Sequence, residues 1–327
     1  MNANEGPIKL AILDDYQNIA LKMADWSPLR DRVSIEVFSD HISDPDRLVD
    51  RLLPFDIVCV MRERTPLSRQ IIERLPRLKL ISSTGSRNTS IDGGAAKEHG
   101  IIVNNTKGSS TAPIELTWAL ILAGVRNVAS ENALLRAGGW QQSVGEEIKG
   151  KTLGILGLGN IGSEVARIGR AFGMETIAWS ERLTKERADE VGARLVSKDE
   201  LFRDADIVSI HLVLADATRG LVGARELSQM KPTAWLINTS RGPIVDEHAL
   251  VTALSGRKLA GAAIDVFDIE PLPTKHSFRV LDNVLATPHI GYVSRSEYEV
   301  FYGETVEGVI AWLDGRASQP STNVTVP

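Results

Sequence analysis

The chain of 327 residues has room for about two domains of ~100–200 residues, each with its own core. Hydrophobic residues make up 43% and charged residues 24%, which excludes a disordered or collagen-like chain. A net charge of −5 without a basic tract gives no electrostatic reason to bind nucleic acid or an anionic membrane surface. Met1 to Pro7 is polar and lacks the basic-then-apolar layout of a signal peptide. No apolar run approaches the ~20 residues that span a bilayer, so a cytoplasmic globular protein is expected.

In chain order, Ile8 to Leu13, Val33 to Phe38, Ile57 to Met61, Leu78 to Ser82 and Ile101 to Val103 read as strands. Helix-like stretches lie between them, including Asp46 to Leu53 and Ser68 to Arg74. The single cysteine, Cys59, sits inside the third run and reads as a buried core thiol. Residues 113–136 read as one long, mostly apolar helix with Pro113 in its first turn, ended by Gly138-Gly139-Trp140. A second alternating region follows, with strands at Thr152 to Leu156, Thr176 to Trp179, Ile207 to Ile210, Ala234 to Ile237, Gly261 to Ile264 and Val284 to Ala286. Ser296 to Leu313 reads as a closing helix before a polar end. Strand–helix alternation at this spacing predicts α/β architecture, as two doubly wound parallel sheets.

The second region opens with Gly157-Leu158-Gly159-Asn160-Ile161-Gly162, directly after an apolar strand and ahead of a helical pattern (Val165, Ile168, Phe172). The spacing has a physical reason. Gly157 permits a tight turn, Gly159 lets a diphosphate approach the backbone, and Gly162 lets helix and strand pack closely. The amides of Asn160 and Ile161 then face the phosphates at the positive end of the helix. The next strand ends Trp179-Ser180-Glu181-Arg182. Glu181 can accept from ribose hydroxyls and repel a 2′-phosphate, whereas Ser180 with Arg182 can accept one. These residues leave the choice between NAD and NADP open, with NAD slightly favoured.

Three further strand ends carry polar groups: Asn238-Thr239-Ser240-Arg241-Gly242, Asp265-Val266-Phe267 with Glu270-Pro271, and Thr287-Pro288-His289. Ligands collect at the carboxyl ends of such strands, so Arg241, Glu270 and His289 are expected at one edge. His41, His99, His211, His248 and His276 stand outside these motifs, and no His-x-x-x-His or cysteine pair suggests a metal.

These motifs, in this order, resemble the D-isomer-specific 2-hydroxyacid dehydrogenase family, which includes glyoxylate/hydroxypyruvate reductases and phosphoglycerate dehydrogenases. Thr84 to Asp92 looks like that family's substrate-carboxylate loop, although Ser86 and Arg87 stand where a small residue and a glycine are common. The resemblance implies a Rossmann dinucleotide-binding domain (108–291) inserted in a flavodoxin-like substrate domain (1–107 plus 292–327), with a cleft that closes over the substrate. It implies hydride transfer between a nicotinamide cofactor and the C2 carbon of a small 2-keto or D-2-hydroxy acid. In that reading His289 is the acid/base and Glu270 holds its ring and favours imidazolium, while Arg241 grips the substrate. The amides of Ser86 and Arg87 bind the carboxylate, and Asp265 accepts from the nicotinamide carboxamide with Thr239 nearby. Alternatives on the same scaffold are a formate- or phosphite-type dehydrogenase and a non-enzymatic nicotinamide sensor. The apolar length of Pro113 to Ala133 adds the expectation of a homodimer.

Overall fold

The computed structural model describes residues 7–316; the polar segment before Pro7 and the polar end after Arg316 lie outside the described residues. The chain divides into two units, one formed by residues up to Ser109 together with those from Ser294 onward, the other by Ser110–Val293.

The first unit holds a five-stranded parallel sheet: β1 (Ile8–Ile12), β2 (Val33–Val37), β3 (Ile57–Val60), β4 (Leu80–Ser83) and β5 (Ile102–Asn105), in the order β2-β1-β3-β4-β5. β3 is buried at every residue, as a central strand covered on both faces must be. On one face Ala11, Val58, Val60 and Ile81 pack with Leu48 and Leu52 of the helix Pro45–Leu52. That helix starts where Asp44 accepts a hydrogen bond from the amide of Arg47 at 2.9 Å, with Pro45 in the first turn. The helix Arg295–Leu313 returns to this unit and buries Tyr298, Phe301 and Tyr302. Near its start, Glu297 accepts from the amide of Ser109 with both oxygens, at 2.9 and 3.1 Å. The residue that precedes the second unit is thereby fastened to the helix that follows it.

The second unit holds a seven-stranded parallel sheet: β6 (Thr152–Leu156), β7 (Glu175–Trp179), β8 (Arg194–Leu195), β9 (Ile207–Ile210), β10 (Trp235–Asn238), β11 (Gly261–Ile264) and β12 (Val284–Ala286), ordered β12-β11-β10-β9-β6-β7-β8. Side-chain alternation divides its core. Leu153 and Ile155 face Ile121 and Val165, while Leu156, Val208 and Leu236 face Phe202, Leu227 and Leu254. β6 lies between β7 and β9, so the winding reverses there, where an open sheet forms its ligand crevice.

The long helix expected over 113–136 is two helices, Thr111–Val125 and Val128–Arg136. Asn127 between them adopts φ 53°, a left-handed conformation that asparagine tolerates and that breaks helical hydrogen bonding. The helix expected over Ser68 to Arg74 shortens to Arg69–Ile72, and the two-residue β8 has no counterpart among the expected strands. No helix among the described residues is long and apolar enough to cross a membrane.

The two sheets share one device at their amino ends. Asp56 precedes β3 and accepts from the amide of Lys9 at 3.1 Å; Asp206 precedes β9 and accepts from the amide of Thr152 at 2.8 Å. Each also pairs with a cation, Arg77 at 3.0 Å and Lys231 at 2.8 Å. The matching strings Asp56-Ile57-Val58 and Asp206-Ile207-Val208 thus staple the first strand of each unit to its central neighbour.

Candidate active site

The glycine turn after β6 has the shape its spacing implies. Gly157 has φ 103°, and a Cβ at Gly162 would collide with the carbonyl oxygen of Gly157. A Cβ at Gly159 would meet nothing within 4 Å, so the space over it is open. The helix Asn160–Ala171 begins there with no capping side chain and no acidic residue in its first turn. Free amides, a positive helix end and open space form a cradle that suits a diphosphate. Asn160 and Ile161 open the helix as expected. At the end of β7, Ser180 is half-buried, while Glu181 and Arg182 are exposed.

His211, at the end of β9, lies beneath this turn: a Cβ at Gly157 would sit 2.9 Å from its carbonyl. Its Nε2 lies 2.9 Å from Ser209 Oγ. Burial pushes its imidazole down to about 4, so the ring is neutral near pH 7 and serves packing.

The three strand ends after β10, β11 and β12 meet through backbone and side chains. Asn238 shapes the first: its Oδ1 accepts from the amide of Ser240 at 3.1 Å, and its Nδ2 donates to the carbonyl of Arg241 at 3.0 Å. Arg241 is half-buried, with Nη1 donating to the Ser240 carbonyl at 2.7 Å. Its neighbour Gly242 lies against the next strand end so closely that a Cβ would overlap the carbonyl of Phe267. The amide of Phe267 in turn donates to Glu270 Oε1 at 2.9 Å. The other oxygen, Oε2, lies 2.5 Å from His289 Nδ1. Because a carboxylate only accepts, Nδ1 is the donor in this contact, and Nε2 stands outside it.

His289 has φ 51°, an uncommon conformation for a side-chain-bearing residue and one that concentrates at functional sites. Asp265 supports it. Fully buried, it accepts from Thr287 Oγ1 at 2.6 Å, from the amide of Ile290 at 2.8 Å and from the amide of Gly291 at 2.8 Å. Burial pushes the Asp265 carboxyl up, against the lowering effect of these donors and of His289. The ring of Tyr292 stands edge-on to His289, with centroids 5.3 Å apart. Thr239 Oγ1 lies 2.8 Å from Thr117 Oγ1 of the preceding helix.

In the first unit, Ser86 and Arg87 are exposed on the loop after β4. Gly85 before them has φ 84°, and a Cβ there would collide with the Arg62 guanidinium. Arg62 lies in Met61-Arg62-Glu63-Arg64-Thr65 at the end of β3, outside every motif singled out above. The strand-end rule that singled out Arg241 applies equally to it. His41 and His276, which no motif supported, are both paired with carboxylates: Asp14 at 2.9 Å and Glu247 at 2.9 Å.

A parallel dinucleotide sheet with a glycine cradle, and a His–carboxylate pair beside an arginine loop, define a nicotinamide-linked oxidoreductase architecture. Residues 118–291 match the family model described as D-isomer specific 2-hydroxyacid dehydrogenase, NAD binding domain. The chain is 42% identical over 256 residues to a glyoxylate reductase from Aeropyrum pernix, covering 75% of this chain and 76% of that protein. It is 39% identical over 278 residues to a D-3-phosphoglycerate dehydrogenase from Synechocystis, covering 83% of this chain but half of that protein. The crystal structure of a phosphoglycerate oxidoreductase from Vibrio cholerae O395 superposes with a TM-score of 0.90 at 39% identity, covering 94% and 99% of the two chains. The chain belongs to the D-isomer-specific 2-hydroxyacid dehydrogenase family, and residues 118–291 are its NAD-binding domain.

Proposed function

We propose that this protein reduces small 2-keto acids to D-2-hydroxy acids, and that the Glu270–His289 pair is its proton-transfer device. The observation that carries the reading is the 2.5 Å contact between Glu270 Oε2 and His289 Nδ1, joined to the Arg241 loop by the Gly242–Phe267 approach. When bound, the nicotinamide supplies the hydride to the substrate's C2 carbon. His289 Nε2 gives a proton to the carbonyl oxygen, and the negative Glu270 stabilises the charged ring that gives it. Arg241 holds the substrate carboxylate and carbonyl with paired, permanently charged donors. Asp265 fixes the segment that carries His289 and would accept from the carboxamide with the one lone pair its three donors leave, while Thr239 would line the cofactor's side. The loop bearing Ser86 and Arg87 receives the carboxylate through its amides, which makes the unit around β1–β5 the substrate unit. Formate oxidation needs no proton donor, so the His–Glu pair disfavours that alternative.

Glu181 selects NAD over NADP by accepting from ribose hydroxyls and repelling a 2′-phosphate. Glu181→Ser should narrow the preference for NADH over NADPH, read as a ratio of kcat/KM values. A dimer is also part of the reading, with its surface assigned to Val128–Arg136 rather than to the whole of Pro113 to Ala133. The helix Thr111–Val125 buries seven residues inside its own unit, whereas Val128–Arg136 buries none. Trp140 and Val144 beyond it are 75% and 95% exposed. A patch of this kind suits a two-fold contact, and light scattering giving a single-chain mass would contradict it.

The test of the main reading is turnover. The protein is mixed with NADH and glyoxylate, hydroxypyruvate or pyruvate, and loss of nicotinamide absorbance is followed. Turnover that disappears in His289→Asn supports the reading. Tight NADH binding with no turnover of any 2-keto acid contradicts it in favour of a sensor.

A further inference from the structure

At the carboxyl edge of the five-stranded sheet, Asp14 follows β1 and is 1% exposed, with φ 56°. Its carboxylate is divided between two side chains from other loops. Oδ1 lies 2.9 Å from His41 Nδ1, and Oδ2 accepts from Thr65 Oγ1 at 2.6 Å. Its own carbonyl accepts from Arg64 Nη1 at 2.7 Å. One residue therefore gathers the segments that follow β1, β2 and β3.

The segment after β3 is held from the other side as well. Arg62, also left-handed at φ 54°, donates its amide to Thr84 Oγ1 at 2.9 Å, and its carbonyl accepts from Asn88 Nδ2 at 2.6 Å. Two side-chain-bearing residues in this uncommon conformation, at the ends of neighbouring strands, must be held there by their surroundings. At the amino edges of their own sheets, Asp56 and Asp206 bond backbone amides and so fix strands to one another. The Asp14 carboxylate bonds loop side chains instead, and so fixes loops.

We infer that Asp14, with His41 and Thr65, is a positioning residue. It sets the shape of the 61–65 segment and, through Arg62, of the 84–88 loop, and so governs how tightly the 2-keto acid is held without touching it. The inference rests on the proposed function, in which the 84–88 loop receives the substrate carboxylate.

Asp14→Asn is the informative change. Asparagine favours the left-handed backbone at least as well as aspartate, so the substitution alters the acceptors and spares the turn. In the full-length protein with NADH and hydroxypyruvate, Asp14→Asn should raise KM for the keto acid about tenfold, change kcat by less than about twofold, and leave KM for NADH unchanged. Thr65→Val should raise the same KM several-fold and Thr65→Ser should restore it, which keeps the test open if Asp14→Asn folds poorly. An unchanged KM for hydroxypyruvate in both Asp14→Asn and Thr65→Val, even with a lowered melting temperature, would overturn the inference while the wild-type turnover still stood. A wild type that turns over no 2-keto acid would instead overturn the functional reading, and this inference with it.

Discussion

Gly242 rests against the main chain of Phe267 with no room for a Cβ. That contact joins the Arg241 loop to the Glu270 loop, because the Phe267 amide is itself bonded to Glu270. A methyl group there would push the two loops apart. Gly242→Ala is expected to cost about 1–3 kcal/mol or more in stability by overpacking. It should also lower kcat/KM by a larger factor than the shift in denaturation midpoint alone explains. A variant that loses stability but keeps full activity at low temperature would separate the contact from the site.

Glu270→Gln tests the division of labour within the proposed proton-transfer pair. Glutamine keeps the size of the side chain but removes the charge and presents a donor or a neutral acceptor to Nδ1. Loss of a positioned proton transfer typically costs about 10²–10⁴-fold in rate. His289→Asn should reach that range in kcat, and Glu270→Gln should fall at its lower end, with KM for NADH little changed in either. Equal, small losses in both variants would assign the chemistry elsewhere.

His211 yields a prediction about stability rather than activity. Its folded value of about 4 lies below the ordinary histidine value of ~6.5. As pH falls from about 6.5 toward 4, the unfolded chain takes up the proton before the folded one, so stability declines across that window and this group adds no slope above it. Denaturant midpoints measured at pH 7.5 and pH 5 should differ less in His211→Gln than in the wild type. An identical difference would show that the imidazole is not held neutral by burial.

The fold was largely legible because buried parallel strands appear as β-branched runs, and among the described residues every strand but one overlaps a predicted one, with ends shifted by a residue or two. The exception, Arg194–Leu195, is too short to carry any periodicity. The break at Asn127 escaped notice because apolar periodicity continues across it, and only a backbone angle marks the boundary. The cradle, Arg241, Glu270 and His289 were legible because each sits in an ordered motif. Asp14, His41 and Thr65 were not: they are 27 and 51 residues apart along the chain, lie in three loops, and acquire meaning only when the sheet brings their strand ends together. Arg62 belongs to the same class, its place defined by the bare Cα of Gly85.

In the proposed reaction a hydride arrives at C2 while His289 delivers the proton. NADH deuterated at the transferring position, mixed with hydroxypyruvate, tests this most directly when the product is read by mass and by chiral separation. The expected product is a D-2-hydroxy acid carrying one deuterium at C2, formed by the wild type and lost in His289→Asn. An L product, a product without deuterium, or undiminished formation in His289→Asn would contradict it.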